Sequence, residues 1–166
     1  MEYLDSAYPD TPRVFSSDSA TKAQQLAFEK WFVGEVFVPV VRLLFPGVPA
    51  ILDDPGAQYF RLTREKWFGS PLNEWTPVGS DERAEVWKTI KSGLEKLGAA
   101  YKKRENSASV WLIGDHPTYG DFVVLSFLIF VKRTIRENEW EELLGWHAAF
   151  WRKLWDASLP YQHVDS

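Results

Sequence analysis

Trp111-Leu-Ile-Gly-Asp-His-Pro-Thr-Tyr-Gly-Asp121, running directly into Phe122-Val-Val-Leu-Ser-Phe-Leu-Ile-Phe-Val131, decides how this chain folds. Thr118 and Asp121 have the Thr-x-x-Asp spacing of a helix capping box. The threonine hydroxyl can accept the amide of Asp121 while the carboxylate reaches back to the amide of Thr118. The apolar run behind it has Ser126 as its single polar break. It is about half of the ~20 residues that span a bilayer, so it predicts a buried core helix, from Thr118 to about Arg136.

Outward from this helix the periodicity remains helical. From Ser19 to about Phe45 the chain is apolar on nearly every side after Trp31, with Lys22, Glu29, Glu35 and Arg42 forming a narrow polar stripe. Pro39 inside that run lacks an amide hydrogen, frees the carbonyl of Glu35 and bends the helix. Phe45-Pro-Gly-Val-Pro49 stops it. Asp53 and Asp54 before Pro55 then cap a second helix, with Tyr59, Phe60, Thr63, Trp67 and Phe68 on one face and Gly69 at its end. Ser80 caps a third, on which Val86, Trp87, Ile90, Leu94, Leu97 and Tyr101 recur at helical spacing. After the polar stretch Asn106 to Ser109 and the core helix, a last one runs from about Glu139 to Asp156. It places Trp140, Leu143, Leu144, His147, Phe150, Trp151, Leu154 and Trp155 on one side. No stretch alternates like a strand, and no repeat is present. The fold class is all-α, a bundle of five to six helices.

A chain of 166 residues, 45% hydrophobic, closes one sizeable core. Nine Trp, six Tyr and eleven Phe fill it with aromatic volume, or leave an aromatic-lined pocket or interface. A net charge of −4 offers no basic field for phosphate backbones or anionic headgroups, so neither nucleic acid nor membrane is expected as a partner. Without cysteine there are no disulfides and no thiolate chemistry, and without a basic or apolar stretch at residues 1–8 no secretory signal is expected. A cytoplasmic location follows as the expectation. His116, His147 and His163 have no second ligand at helical spacing, which argues against metal. Asp53/Asp54 and Glu141/Glu142 are adjacent pairs at helix starts and read as caps and surface, not as acid-base pairs. No serine sits in a strand-turn-helix elbow and no glycine-rich phosphate loop is present.

The capping box, entered from a leucine-x-glycine-aspartate-x-proline turn and followed by a wholly apolar helix, resembles the one that opens the core helix of the glutathione transferase C-terminal domain. Gly120 departs from the alanine usual there and weakens the first turn slightly. Glu2-Tyr-Leu-Asp5 with Tyr8-Pro-Asp-Thr-Pro-Arg-Val-Phe15 looks like the end of the last helix of a thioredoxin-like domain and its linker. Tyr59-Phe-Arg-Leu-Thr-Arg-Glu-Lys-Trp-Phe-Gly69 is similar to a helix of fungal, etherase-related transferases. The resemblance implies that residues 1–17 are a domain remnant and linker, 18–157 the helical domain and 158–166 a tail.

It also implies a division of labour. The residues that activate and hold glutathione lie, in this family, in the thioredoxin-like domain, so no catalytic residue is expected here. Glutathione enters as a co-substrate only when that domain is supplied. The helical domain contributes the wall of a pocket for an apolar, aromatic electrophile and part of a dimer surface. In the family the helix corresponding to the long first one overhangs the active site, and Trp31, Glu35 and Pro39 line successive turns of it. Core packing is the expected fate of Trp31, and if a pocket survives, Trp31, Glu35, Tyr59 and Trp151 are its expected lining. Arg61, Arg64, Glu65 and Lys66 read as a solvated patch, with steering of an anionic ligand as the rival reading. The alternative to a transferase half is a non-catalytic helical module that binds a hydrophobic ligand or a protein partner.

Overall fold

Each long helix begins where a side chain takes up an otherwise free amide. The computed structural model of the chain describes residues 2–11, 13–102 and 109–162. It comprises α1 (Glu2–Ala7), α2 (Ser19–Phe32), α3 (Val41–Leu44), α4 (Asp54–Phe68), α5 (Asp81–Lys102), α6 (Tyr119–Thr134) and α7 (Glu137–Ser158). The amide of Thr21 donates to Asp18 at 2.7 Å, that of Gly56 to Asp53 at 3.0 Å and that of Arg83 to Ser80 at 3.1 Å. Thr118 and Asp121 form the capping box of α6. Gly69, at φ 74°, ends α4 in the left-handed conformation that favours glycine. No strand is present among the described residues, and with α3 continuing the line of α2 the molecule is an all-α bundle.

The bend expected at Pro39 is spread over two turns. Val33–Phe37 form a π turn and Val38–Val40 a 3-10 turn before α3 resumes the helix. The amide of Val38 bonds the carbonyl of Val33, so the chain absorbs the missing Pro39 donor by adding a residue to the turn ahead of it. The Ser19–Ile51 run is long and apolar enough to cross a bilayer by length and composition, a longer span than Phe122–Val131. One stripe of it, Phe32, Val36, Val40, Leu43 and Leu44, is buried in the core, whereas Trp31, Val33 and Val38 stay on the surface.

The core is centred on α6. Val124, Leu128 and Val131 are fully buried among Ile90, Leu94 and Leu97 of α5 and Leu143, Trp151 and Leu154 of α7. Gly47 lies so close to the end of α6 that an added Cβ would meet the Thr134 carbonyl oxygen at 2.1 Å, so only glycine fits there. The stretch before α2 is tied down: Asp5 accepts the amides of Val14 and Phe15 at 3.3 and 3.1 Å, and Phe15 is buried against Tyr119.

The last helix is not continuous as its periodicity implies. After Gly145, Trp146 is extended, and His147, Ala148 and Ala149 take left-handed angles with φ of 55°, 58° and 58° before the helix resumes. Each such residue costs roughly 1–2 kcal/mol. A continuous helix would direct Trp146 away from the face set by Trp140, Leu144 and Trp151. The break instead buries Trp146 beneath Trp87, with ring centroids 5.0 Å apart. His147 accepts the indole hydrogen of the fully buried Trp151 at 2.7 Å, and burial lowers its pKa below the usual histidine value.

Candidate functional site: an apolar groove between α2 and α6

A groove of about 510 Å³ lies between α2 and α6. From α2 it is lined by Glu29 and Phe32, and from the π turn by Val33 and Phe37. Tyr119, Phe122, Ser126 and Phe130 recur every three or four residues along α6 and so fall on one flank of that helix, with Val123 and Phe127 beside them. Phe127 stands edge-on to both Phe32 and Phe37, at centroid distances of 5.4 and 6.4 Å.

Polar groups are few. Tyr119 Oη donates to Glu29 Oε2 at 2.7 Å and closes one end of the groove. Burial and this bond to Glu29 push the Tyr119 hydroxyl up to about 12, which keeps its proton in place at neutral pH. Ser126 Oγ donates to the carbonyl of Phe122 at 2.7 Å. Among the described residues no lysine or arginine lines the groove. Among the described residues no cluster of His, Asp or Glu could hold a metal ion, and His163 lies outside them, as does most of Asn106 to Ser109.

The four residues expected to line a pocket do not converge. Trp31 is 36% exposed beside Phe28, and Glu35 reaches away from the groove to Lys96 of α5 at 3.6 Å. Tyr59 is 68% exposed on α4, and Trp151 is sealed in the core. Their sequence spacing sets which face of its own helix each occupies, whereas the rotation of that helix against its neighbours is a tertiary property. Two residues of the charged patch on α4 are engaged within the fold: Arg64 lies over Phe60 and Trp67 at 4.8 and 4.3 Å, and Glu65 accepts the amide of Leu72 at 3.0 Å, while Arg61 and Lys66 are exposed.

Thr118 and Asp121 are placed as expected, with more partners than the sequence announces. Asp121 is fully buried. One carboxylate oxygen accepts the Thr118 amide and hydroxyl at 2.9 and 3.0 Å, and the other accepts the Leu112 amide at 2.7 Å and Tyr101 Oη at 3.1 Å. The capping residue therefore also anchors the 110–118 turn and α5 to the start of the core helix. Glu29, Tyr119, Phe122 and Ser126 are the groove residues that sequence reasoning passes over. The usable signal is the 119–122–126–130 spacing on a helix otherwise too apolar to show a face.

Comparison with known proteins agrees with this architecture. Residues 23–161 match the family model described as glutathione S-transferase, C-terminal domain. The chain is 32% identical over 165 residues to the glutathione S-transferase-like protein ustS of Aspergillus flavus, covering 96% of this chain and 57% of that protein. A glutathione S-transferase of Ceriporiopsis subvermispora, solved in complex with glutathione, superposes with a TM-score of 0.88 at 29% identity over 99% of this chain and 65% of that one. A glutathione transferase of Phanerochaete chrysosporium superposes with a TM-score of 0.85 at 30% identity, over 99% and 64%. The chain thus spans about three fifths of the length of these fungal relatives. Its helices, its capping box and its sequence place it in the glutathione S-transferase C-terminal domain family, to which it belongs.

Proposed function

We propose that this chain is the helical half of a cytoplasmic glutathione transferase and that the groove between α2 and α6 receives the apolar substrate. The observation that carries the reading is an aromatic-lined concavity of about 510 Å³ on a fold shared with transferases. Phe32, Phe37, Phe122 and Phe130 give it the flat, polarisable walls that suit an aromatic electrophile.

Glutathione itself does not fit this groove. The tripeptide carries two carboxylates, whereas among the described residues the groove holds Glu29 and no cation. No step of the chemistry is routed through residues of this chain. Its contribution is to hold the electrophile and exclude water, and the two fifths of its relatives that it does not span supply glutathione binding. That missing part is a thioredoxin-like domain in this reading, and a homodimer is the expected assembly.

The test has two arms. The chain alone should bind the neutral dye N-phenylnaphthylamine, and Ser126→Trp, which fills the groove from an exposed position, should abolish binding without unfolding the protein. Joined to the uncovered portion of the Ceriporiopsis enzyme, it should conjugate glutathione to an aromatic halide, an activity absent from the chain alone. Dye binding unaffected by Ser126→Trp would remove the groove from the argument. An inactive chimera that still binds dye would favour the non-catalytic module.

A further inference from the structure

We infer that the groove selects aromatic ligands whose polar end is a hydrogen-bond donor, a phenol, alcohol or protonated amine, and rejects aromatic acids. This rests on the groove being a ligand site and names the class of ligand it takes.

The argument is an inventory of hydrogens. Glu29 is a carboxylate and can only accept. Tyr119 has one hydroxyl hydrogen, and it is committed to Glu29 Oε2 at 2.7 Å. Ser126 also has one, and it is committed to the Phe122 carbonyl at 2.7 Å. What these side chains still offer a ligand is lone pairs: the second oxygen of Glu29 and the free lone pairs of the two hydroxyls. The backbone adds no donor, because the lining residues lie within helical turns and the amide of Tyr119, at the helix start, is bonded to the carbonyl of Val14 at 3.3 Å. A half-buried apolar groove that offers acceptors and no free donor leaves a ligand's acceptor unpaired, and with no lysine or arginine among the described lining residues an anion finds no counter-charge. The Tyr119 proton stays where it is, since burial and Glu29 hold that hydroxyl at about 12.

Four ligands with one apolar body test this on the whole chain by equilibrium dialysis: biphenyl, para-phenylphenol, para-phenylbenzylamine and para-phenylbenzoate. The phenol and the ammonium should bind about tenfold or more tighter than the benzoate, the difference one hydrogen bond makes. In Glu29→Gln the side-chain amide brings hydrogens of its own, so the benzoate should gain and the gap should close, with circular dichroism confirming the fold. Biphenyl binding with no preference among head groups, or with the benzoate favoured, would overturn the inference and leave the groove as a ligand site. A preference unchanged in Glu29→Gln would overturn the assignment to Glu29. If none of the four binds, the groove reading falls together with the inference.

Discussion

Asp121 and Glu139 hold the same position in two successive helices, the third residue after the cap, and both are buried, yet their acidities move in opposite directions. Burial raises the pKa of Asp121, and four hydrogen bonds from uncharged donors do not bring it back. Burial pushes Glu139 up as well, but the guanidinium groups of Arg83 and Arg136 outweigh it and hold the carboxyl at about 2. Arg83 grips Glu139 with two hydrogen bonds of 2.8 and 2.7 Å. A neutral hydrogen bond satisfies the geometry of a buried carboxylate, whereas only an opposite charge compensates for its lost hydration.

Breaking the charged side of the comparison should have the largest effect. Arg83→Met strips Glu139 of its bidentate partner, leaves a buried carboxylate held by Arg136 alone, and should cost ~3–5 kcal/mol in urea unfolding. Arg83→Met with Glu139→Met should recover most of that loss, since no unpaired charge is left inside. A double mutant as unstable as the single would show that packing, not charge, holds α5 to α7. The pH dependence follows from the lowered value. Glu139 contributes fully above its unfolded pKa of 4.5, and that contribution disappears as pH falls toward about 2. Glu139→Gln should therefore flatten the loss of stability in acid.

Asp121 sharpens the contrast because its slope has the other sign. Its folded pKa lies above the unfolded 3.8, so protonation favours the fold, and its contribution declines as pH rises through the raised value. Asp121→Asn turns an amide group toward the Thr118 donors and should cost about 1–3 kcal/mol. The penalty should be larger in acid, where the wild-type carboxyl is protonated, than at neutral pH. A penalty that grows with rising pH instead would show that Asp121 is held like Glu139.

How much of this was readable in advance depends on range. Helix starts and stops are local, so Asp53, Ser80, Gly69 and the Thr118–Asp121 box stand in the sequence as they stand in the fold. Arg83 and Glu139 are 56 residues apart, and no local pattern joins them. The interruption of α7 is hidden for a related reason. Trp140, Leu144, Trp151 and Trp155 keep helical spacing across it, and only the burial of Trp146 against Trp87 on another helix calls for the break. The groove fails on azimuth. Glu29 belongs by spacing to a solvated stripe with Lys22, Glu35 and Arg42, but the packing of α2 on α6 turns it toward Tyr119 while Glu35 meets α5.

Thr118→Ala makes the smallest cut, and it separates the two halves of the capping box. The substitution removes the hydroxyl, which accepts the Asp121 amide and donates to the Asp121 carboxylate at 3.0 Å, but keeps the backbone amide, which donates to the same oxygen at 2.9 Å. Because the stronger, backbone half survives, the cost should be ~1 kcal/mol, at the level of an ordinary N-cap deletion. The two residues share one network, so Thr118→Ala added to Asp121→Asn should cost clearly less than the sum of the two. The hydroxyl is also one of the donors that lower the Asp121 pKa against burial. Its loss lets that pKa rise further, so the mutant should be weaker relative to wild type at neutral pH than near pH 3, the reverse of Asp121→Asn. Urea melts of both mutants at the two pH values decide the matter. Equal penalties for Thr118→Ala at both would mean that the hydroxyl bonds the carboxylate no better than water does.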